Sequence, residues 1–158
     1  MSSMEWLSKL LVTAGLLGGY PAPPQAPKLT MLPQNELAAL VCGGDCPVRG
    51  AYLHGRGILL SNKLDLDNDP MDRSVLLHEA VHYLQDINGR FADETACDRF
   101  REREIEAYDV QDRYLSRYGR GIGNVVSNLE WVPYMCRAGS AQAAQSDSKP
   151  PGLAQHIQ

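Results

Sequence analysis

Two histidines and a glutamate stand inside an apolar run of helical spacing, Val75-Leu76-Leu77-His78-Glu79-Ala80-Val81-His82-Tyr83-Leu84-Gln85. The rest of the chain has to be arranged around this stretch. A helix advances about 100° per residue, so His78 and His82 project from one face, a turn apart, close enough to share one ion. Glu79 points about 100° round from His78, beside such an ion and not necessarily on it. His-Glu-x-x-His on a helix is the arrangement of a zinc site whose glutamate acts as general base on a metal-activated water.

The flanks define the helix that carries this motif. Asp69 can cap it, Pro70 suits its first position, and Asp72 can be the acid of a capping-box-like turn. The helix is therefore expected over residues 70–87, ending before Asn88-Gly89. Asp65-Leu66-Asp67-Asn68-Asp69 looks like the start of a calcium loop. It fails, because Pro70 and Leu76 stand where glycine and glutamate are required.

Upstream, Gly50 to His54 and Ile58 to Ser61 are short apolar runs joined by a glycine-containing turn, which reads as a β-hairpin. His54 is expected to be a solvent-facing histidine at a strand end. Residues 5–19 place Trp6, Leu7, Leu10, Leu11, Ala14 and Leu17 at helical spacing before a Gly-Gly stop. A helix of the domain is favoured over a weak secretory signal, since the basic start and a clean cleavage site are poor. Residues 20–28 form a proline-rich connector. A short helix carrying Leu37, Ala38, Leu40 and Val41 follows Pro33. A second long helix is expected from Glu94 or Thr95 to Tyr118, stopped by Gly119. Beyond it come the short apolar segment Trp131 to Cys136 and a disordered tail over residues 137–158. The division is thus 1–28, a metal-binding domain over 29–136, and the tail.

At 158 residues and 44% hydrophobic content the chain fits one domain with one core. Its net charge of -4 argues against a nucleic-acid or anionic-membrane partner, and no segment reads as a stable membrane span. Cys42, Cys46, Cys97 and Cys136 match no zinc-finger spacing and allow three disulfide connectivities. If Cys42 closes a small loop with Cys46, Cys97 and Cys136 remain to pair. Paired cysteines favour a periplasmic or secreted protein, and free thiols a cytoplasmic one.

Zinc needs a third protein ligand. A histidine at position 88 would supply it in one class, but Asn88 stands there. The second helix offers glutamates instead. Projected at about 100° per residue, Glu104 falls in the middle of an apolar stripe of Cys97, Phe100, Ala107, Tyr108, Gln111, Leu115 and Tyr118. Glu102 and Glu106 fall on the opposite, solvated face. A buried carboxylate is costly unless paired or metal-bound, so Glu104 is the candidate ligand. A salt bridge to Arg99 or Arg101 is the structural alternative.

His78-Glu79-Ala80-Val81-His82 followed by Glu104-Ile105-Glu106-Ala107-Tyr108 resembles the gluzincin metallopeptidases. The chain is similar to small bacterial proteins with His-Glu-x-x-His-x-x-Gln and then Glu-x-Glu-Ala-Tyr-x-x-Gln, where Gln85 and Gln111 match. The resemblance covers roughly residues 42–118 and implies a minimal zincin-like α+β fold. That fold is mostly helical, with a small sheet or hairpin beside an active-site helix and a glutamate-bearing helix. It implies zinc on His78, His82 and Glu104, Glu79 as general base, and a peptide or protein substrate lying along an edge strand within residues 51–61. Where many gluzincins carry an aspartate behind a ligand histidine, this chain has Tyr108. Tyr108, Gln85 and Gln111 are the candidates for positions behind the ligands or against substrate. Tyr114, Tyr118 and Tyr134 are candidates by type for stabilising an oxyanion. The rival expectation is a non-catalytic, zinc-stabilised binding domain.

Overall fold

The computed structural model describes residues 1–119. The motif helix, which we label α3 (Pro70–Ile87), is its centre, with every residue from Ser74 to Gln85 buried. Before it come α1 (Ser3–Gly18), β1 (Leu29–Leu32), α2 (Gln34–Cys42), β2 (Gly50–Leu53) and β3 (Gly57–Ser61); α4 (Ala96–Tyr118) follows it. The fold is a small α+β arrangement, mostly helical.

The sheet has the order β1-β3-β2, with β1 parallel and β2 antiparallel to β3. The hairpin is as expected; β1 is an addition. Its four half-buried residues follow a proline-rich stretch, and their pairing partner lies far along the chain. Gly57 brings the backbone close to Lys28, just before β1. Its φ of +88° suits glycine, and a Cβ there would stand 2.3 Å from the Lys28 carbonyl oxygen.

β3 alternates between two apolar clusters, as a central strand must. Ile58 and Leu60 join α1, α3 and α4 on one face. Leu59 joins Leu37, Ala38 and Val41 of α2 on the other. Each such leucine contributes about 1.5–3 kcal/mol by leaving water. α1 seats Leu7, Leu10, Leu11 and Ala14 in the larger cluster and is held at its start by a Ser2–Glu5 capping box.

α3 begins as expected at Asp69, whose side chain accepts the Met71 N–H. Asp72 does not act as a capping acid. It is buried, accepts the Asp65 N–H and pairs with Arg49, so it anchors the loop before α3 instead. α4 buries a wider face than the stripe predicted, taking in Val110 and Tyr114, because α1 packs on it as well as α3. Tyr118, placed in that stripe, is 56% exposed at the helix end.

Cys42 and Cys46 form a disulfide at the end of α2. Cys97 is also disulfide-bonded. The partner expected for it, Cys136, lies outside the described residues, as do Tyr134, the segment at 131–136 and the tail at 137–158. No described helix is long and apolar enough to cross a membrane.

Candidate metal centre

His78 and His82 occupy successive turns of α3, and Glu104 faces them from α4. The two Nε2 atoms are 3.0 Å apart. The Glu104 carboxylate oxygens lie 3.3 Å from His78 Nε2 and 3.1 Å from His82 Nε2. All three residues are buried, and one ligand atom from each lies within 4.8 Å of the others.

The groups behind the rings decide which nitrogens carry protons. Ser74, one turn before His78, donates its hydroxyl to the Met71 carbonyl and so accepts from Gln111 Nε2 at 2.8 Å. That turns Gln111 Oε1 toward His78 Nδ1, 3.1 Å away, which must be the donor. Gln85 is oriented in the same way. Its Nε2 donates to the Arg103 carbonyl and to Glu106, and its Oε1 accepts from Arg103 Nε and from His82 Nδ1 at 2.9 Å. Both imidazoles therefore present Nε2 to the centre. Gln85 and Gln111, singled out in the sequence, are what hold them so.

With neutral rings, two nitrogen lone pairs and a carboxylate would converge in a buried site, a repulsive arrangement unless a cation lies among them. Without metal, a proton is the available cation. Burial lowers the His82 pKa, but the neighbouring Glu104 carboxylate outweighs it and the net shift is upward. Burial would raise Glu104, yet the imidazoles beside it hold its carboxyl well below the usual carboxylate range. One Glu104 oxygen, Oε2, still has no hydrogen-bond donor among the described residues. Two imidazole nitrogens and a carboxylate oxygen with an unsatisfied lone pair fit a metal ion. Neither Arg99 nor Arg101 pairs with Glu104. Arg99 donates to the carbonyls of Phe91, Ala92 and Glu94, and Arg101 lies against Asp98 and Glu102.

Glu79 is buried beside the centre, its Oε2 accepting the Tyr52 N–H at 2.7 Å from the outer edge of β2. Burial pushes its pKa up, the two imidazoles oppose this, and the net shift is upward. Glu79, His82 and Glu104 line a cleft of about 320 Å³, bounded by β2 with His54 on one side and by the first turns of α4 on the other. His54 is 87% exposed, as expected for the end of a strand, with Nδ1 2.7 Å from Asp86.

Tyr108 lies behind a ligand candidate as expected, its ring packed edge-on against His78 at 4.6 Å, while the Gln111 amide accepts from the His78 Nδ1. Other expectations fall differently. Tyr114 accepts from Arg73, with Tyr118 against its ring, and neither borders the cleft. Glu106 is not a solvated charge. Tyr20, Gln85 and Arg90 converge on it, because the chain after α1 returns across this face of α4. Sequence reasoning also missed Ser74, the Tyr52 backbone and Arg103. Ser74, a small polar residue one turn before His78 on a buried face, was the one with a visible signal.

Residues 3–147 match a family described as a domain of unknown function (DUF6647). No curated protein and no solved structure matches the chain.

Proposed function

The chain belongs to the DUF6647 family, and we propose that it is a small zinc-dependent hydrolase of the gluzincin type, cleaving peptide bonds. His78, His82 and Glu104 would hold the ion, with Gln85 and Gln111 fixing the imidazoles. When bound, zinc supplies Lewis acidity that polarises a carbonyl and brings the pKa of a water toward neutrality. Glu79 would accept a proton on its carboxylate from the attacking water and pass it to the leaving amine. Its upward pKa shift moves the carboxyl toward the range where accepting and returning a proton are both fast. The Tyr52 N–H keeps one carboxylate oxygen fixed, so the group is aimed before substrate arrives. β2, an edge of the sheet among the described residues and part of the cleft wall, offers a track for an extended peptide.

The observation that carries this reading is the position of Glu79. A purely structural metal site closes its coordination with a fourth protein ligand. Here the three-residue group borders a cleft, and among the described residues the other buried carboxylate there, Glu79, stands outside the group and accepts from a strand-edge N–H. The Cys42–Cys46 disulfide supports a periplasmic or secreted setting.

The test is Glu79→Gln on zinc-loaded protein. Glutamine keeps the acceptor for Tyr52 but cannot take a proton. We expect zinc content unchanged and hydrolysis of an unstructured protein such as casein reduced at least about 10²-fold. Wild-type turnover in the variant would refute the mechanism, and absence of bound zinc in the wild type would refute the metal assignment.

A further inference from the structure

Two arginines, Arg99 and Arg103, stand one turn apart on α4 and both line the cleft. Arg99 uses Nε and Nη2 on the carbonyls of Phe91, Ala92 and Glu94. Arg103 uses the same two nitrogens on Gln85 Oε1 and the His82 carbonyl. These acceptors are neutral, and they leave Nη1 of each guanidinium without a hydrogen-bond partner among the described residues. Among the described residues Arg49, Arg90, Arg101 and Arg113 meet a carboxylate within ion-pair distance and Arg56, Arg73, Arg99, Arg103 and Arg117 do not; of these five, Arg99 and Arg103 line the cleft.

The acids of the cleft are engaged elsewhere. Asp86 accepts from the Tyr52 hydroxyl at 2.5 Å and lies 2.7 Å from His54 Nδ1. Glu104 faces the two histidines, and Glu79 is tied to the Tyr52 N–H. A chain of net charge -4 thus places two guanidiniums, already fixed in orientation and without a carboxylate in ion-pair contact among the described residues, opposite the edge strand of its cleft, with Arg103 within electrostatic reach of Asp86. A planar guanidinium with an unused edge matches a carboxylate, and fixing it beforehand removes much of the entropy cost of capture. A peptide extended along β2 turns alternate side chains toward α4.

We propose that Arg99 and Arg103 form a carboxylate-recognising subsite, so that the cleft selects peptides bearing a carboxylate close to the bond presented to Glu79. The carboxylate belongs either to an acidic side chain or to a free C-terminus. The proposal deepens the hydrolase reading and rests on it only for there being a bond to cleave.

Peptide binding, measured apart from turnover, tests it. Fluorescein-labelled hexapeptides are titrated by anisotropy against Glu79→Gln protein, with and without zinc. One has glutamate at its centre and one glutamine, each made with a free or an amidated C-terminus. We expect a peptide bearing the recognised carboxylate to bind about tenfold tighter than its neutral partner, the worth of one charge-assisted hydrogen bond. The glutamate/glutamine and acid/amide pairs show which carboxylate is read. Arg99→Gln and Arg103→Gln should each erase the difference. Since Arg103 also braces Gln85, Arg99→Glu provides an independent check, and should transfer the preference to a lysine-centred peptide while circular dichroism stays unchanged. Equal affinity for all four peptides overturns the proposal. So does discrimination that survives both glutamine variants, or no binding of any peptide. Retained discrimination in a protein that neither takes up zinc nor cleaves would sink the hydrolase reading and leave the subsite standing.

Discussion

Both candidate ligand histidines lean on glutamines, and a neutral amide orients an imidazole without adding the charge that a carboxylate would bring. The orientation is nonetheless strongly determined, because Ser74, Glu106 and the Arg103 carbonyl each accept from an amide nitrogen. Gln111→Leu keeps the volume and loses the acceptor for His78 Nδ1. We expect zinc affinity to fall about 10–100-fold, read by competition with a chromophoric chelator. The same network gives a pH dependence. The His82 pKa is raised above its ordinary 6.5, so its contribution to metal-free stability is complete below 6.5 and is lost as pH rises through the folded value. That of Glu104 is lowered below 4.5, so its contribution is present above 4.5 and is lost as pH falls through the folded value. Zinc bound on the proposed ligands would have to displace the His82 proton. The stabilisation by zinc, measured as the melting-temperature difference between loaded and metal-free protein, should therefore grow from pH 5.5 to pH 8. A difference independent of pH would contradict this account of the proton.

At the level of elements, the decisive contact is β2 against α3. A Cβ on Gly50 would stand 2.8 Å from Leu60 Cδ2, 2.9 Å from Val75 Cγ1 and 3.2 Å from Glu79 Cγ. Glycine lets the strand approach closely enough for the Tyr52 N–H to reach Glu79. Gly50→Ala should push β2 away from α3, at a cost of about 1–3 kcal/mol in a urea titration. If the strand aims the general base, kcat should fall further than zinc affinity in this variant. The motif helix was legible in the sequence because Asp69 and Pro70 start it locally and its pattern is long. β1 was not, because four residues become a strand only when β3 is there to pair with them. Glu106 was misread for a related reason. Helical projection ranks faces by their own apolar content and cannot see Tyr20 returning from another element.

For the whole molecule, the candidate centre joins α3 to α4 across the larger apolar cluster, with α1 completing that cluster from the far side. An ion bound there ties together two elements that otherwise meet through packing and glutamine bridges. Removing zinc with a chelator should lower the melting temperature reversibly. Free zinc at about a thousand times its Kd would contribute about 4 kcal/mol. In His82→Ala the same chelator should change the melting temperature little, because the ion would have lost a ligand. A chelator effect of wild-type size in that variant would place the metal elsewhere.

Spacing along single helices was enough to pick out His78, Glu79 and His82, and an acid inside an apolar stripe was enough to pick out Glu104. These are local facts, since helical periodicity decides which side chains share a face whatever surrounds them. What the tertiary structure decided was everything that depends on two elements meeting. It turned two candidate glutamines into the groups that direct both Nε2 atoms inward, and gave Glu79 a backbone donor from β2. It withdrew Asp72 from the helix cap and Glu106 from solvent, and set Arg99 and Arg103 across the cleft from the edge strand. A hydrogen-bond partner far away in sequence leaves no period to read, and only the packed chain shows which donor faces which acceptor.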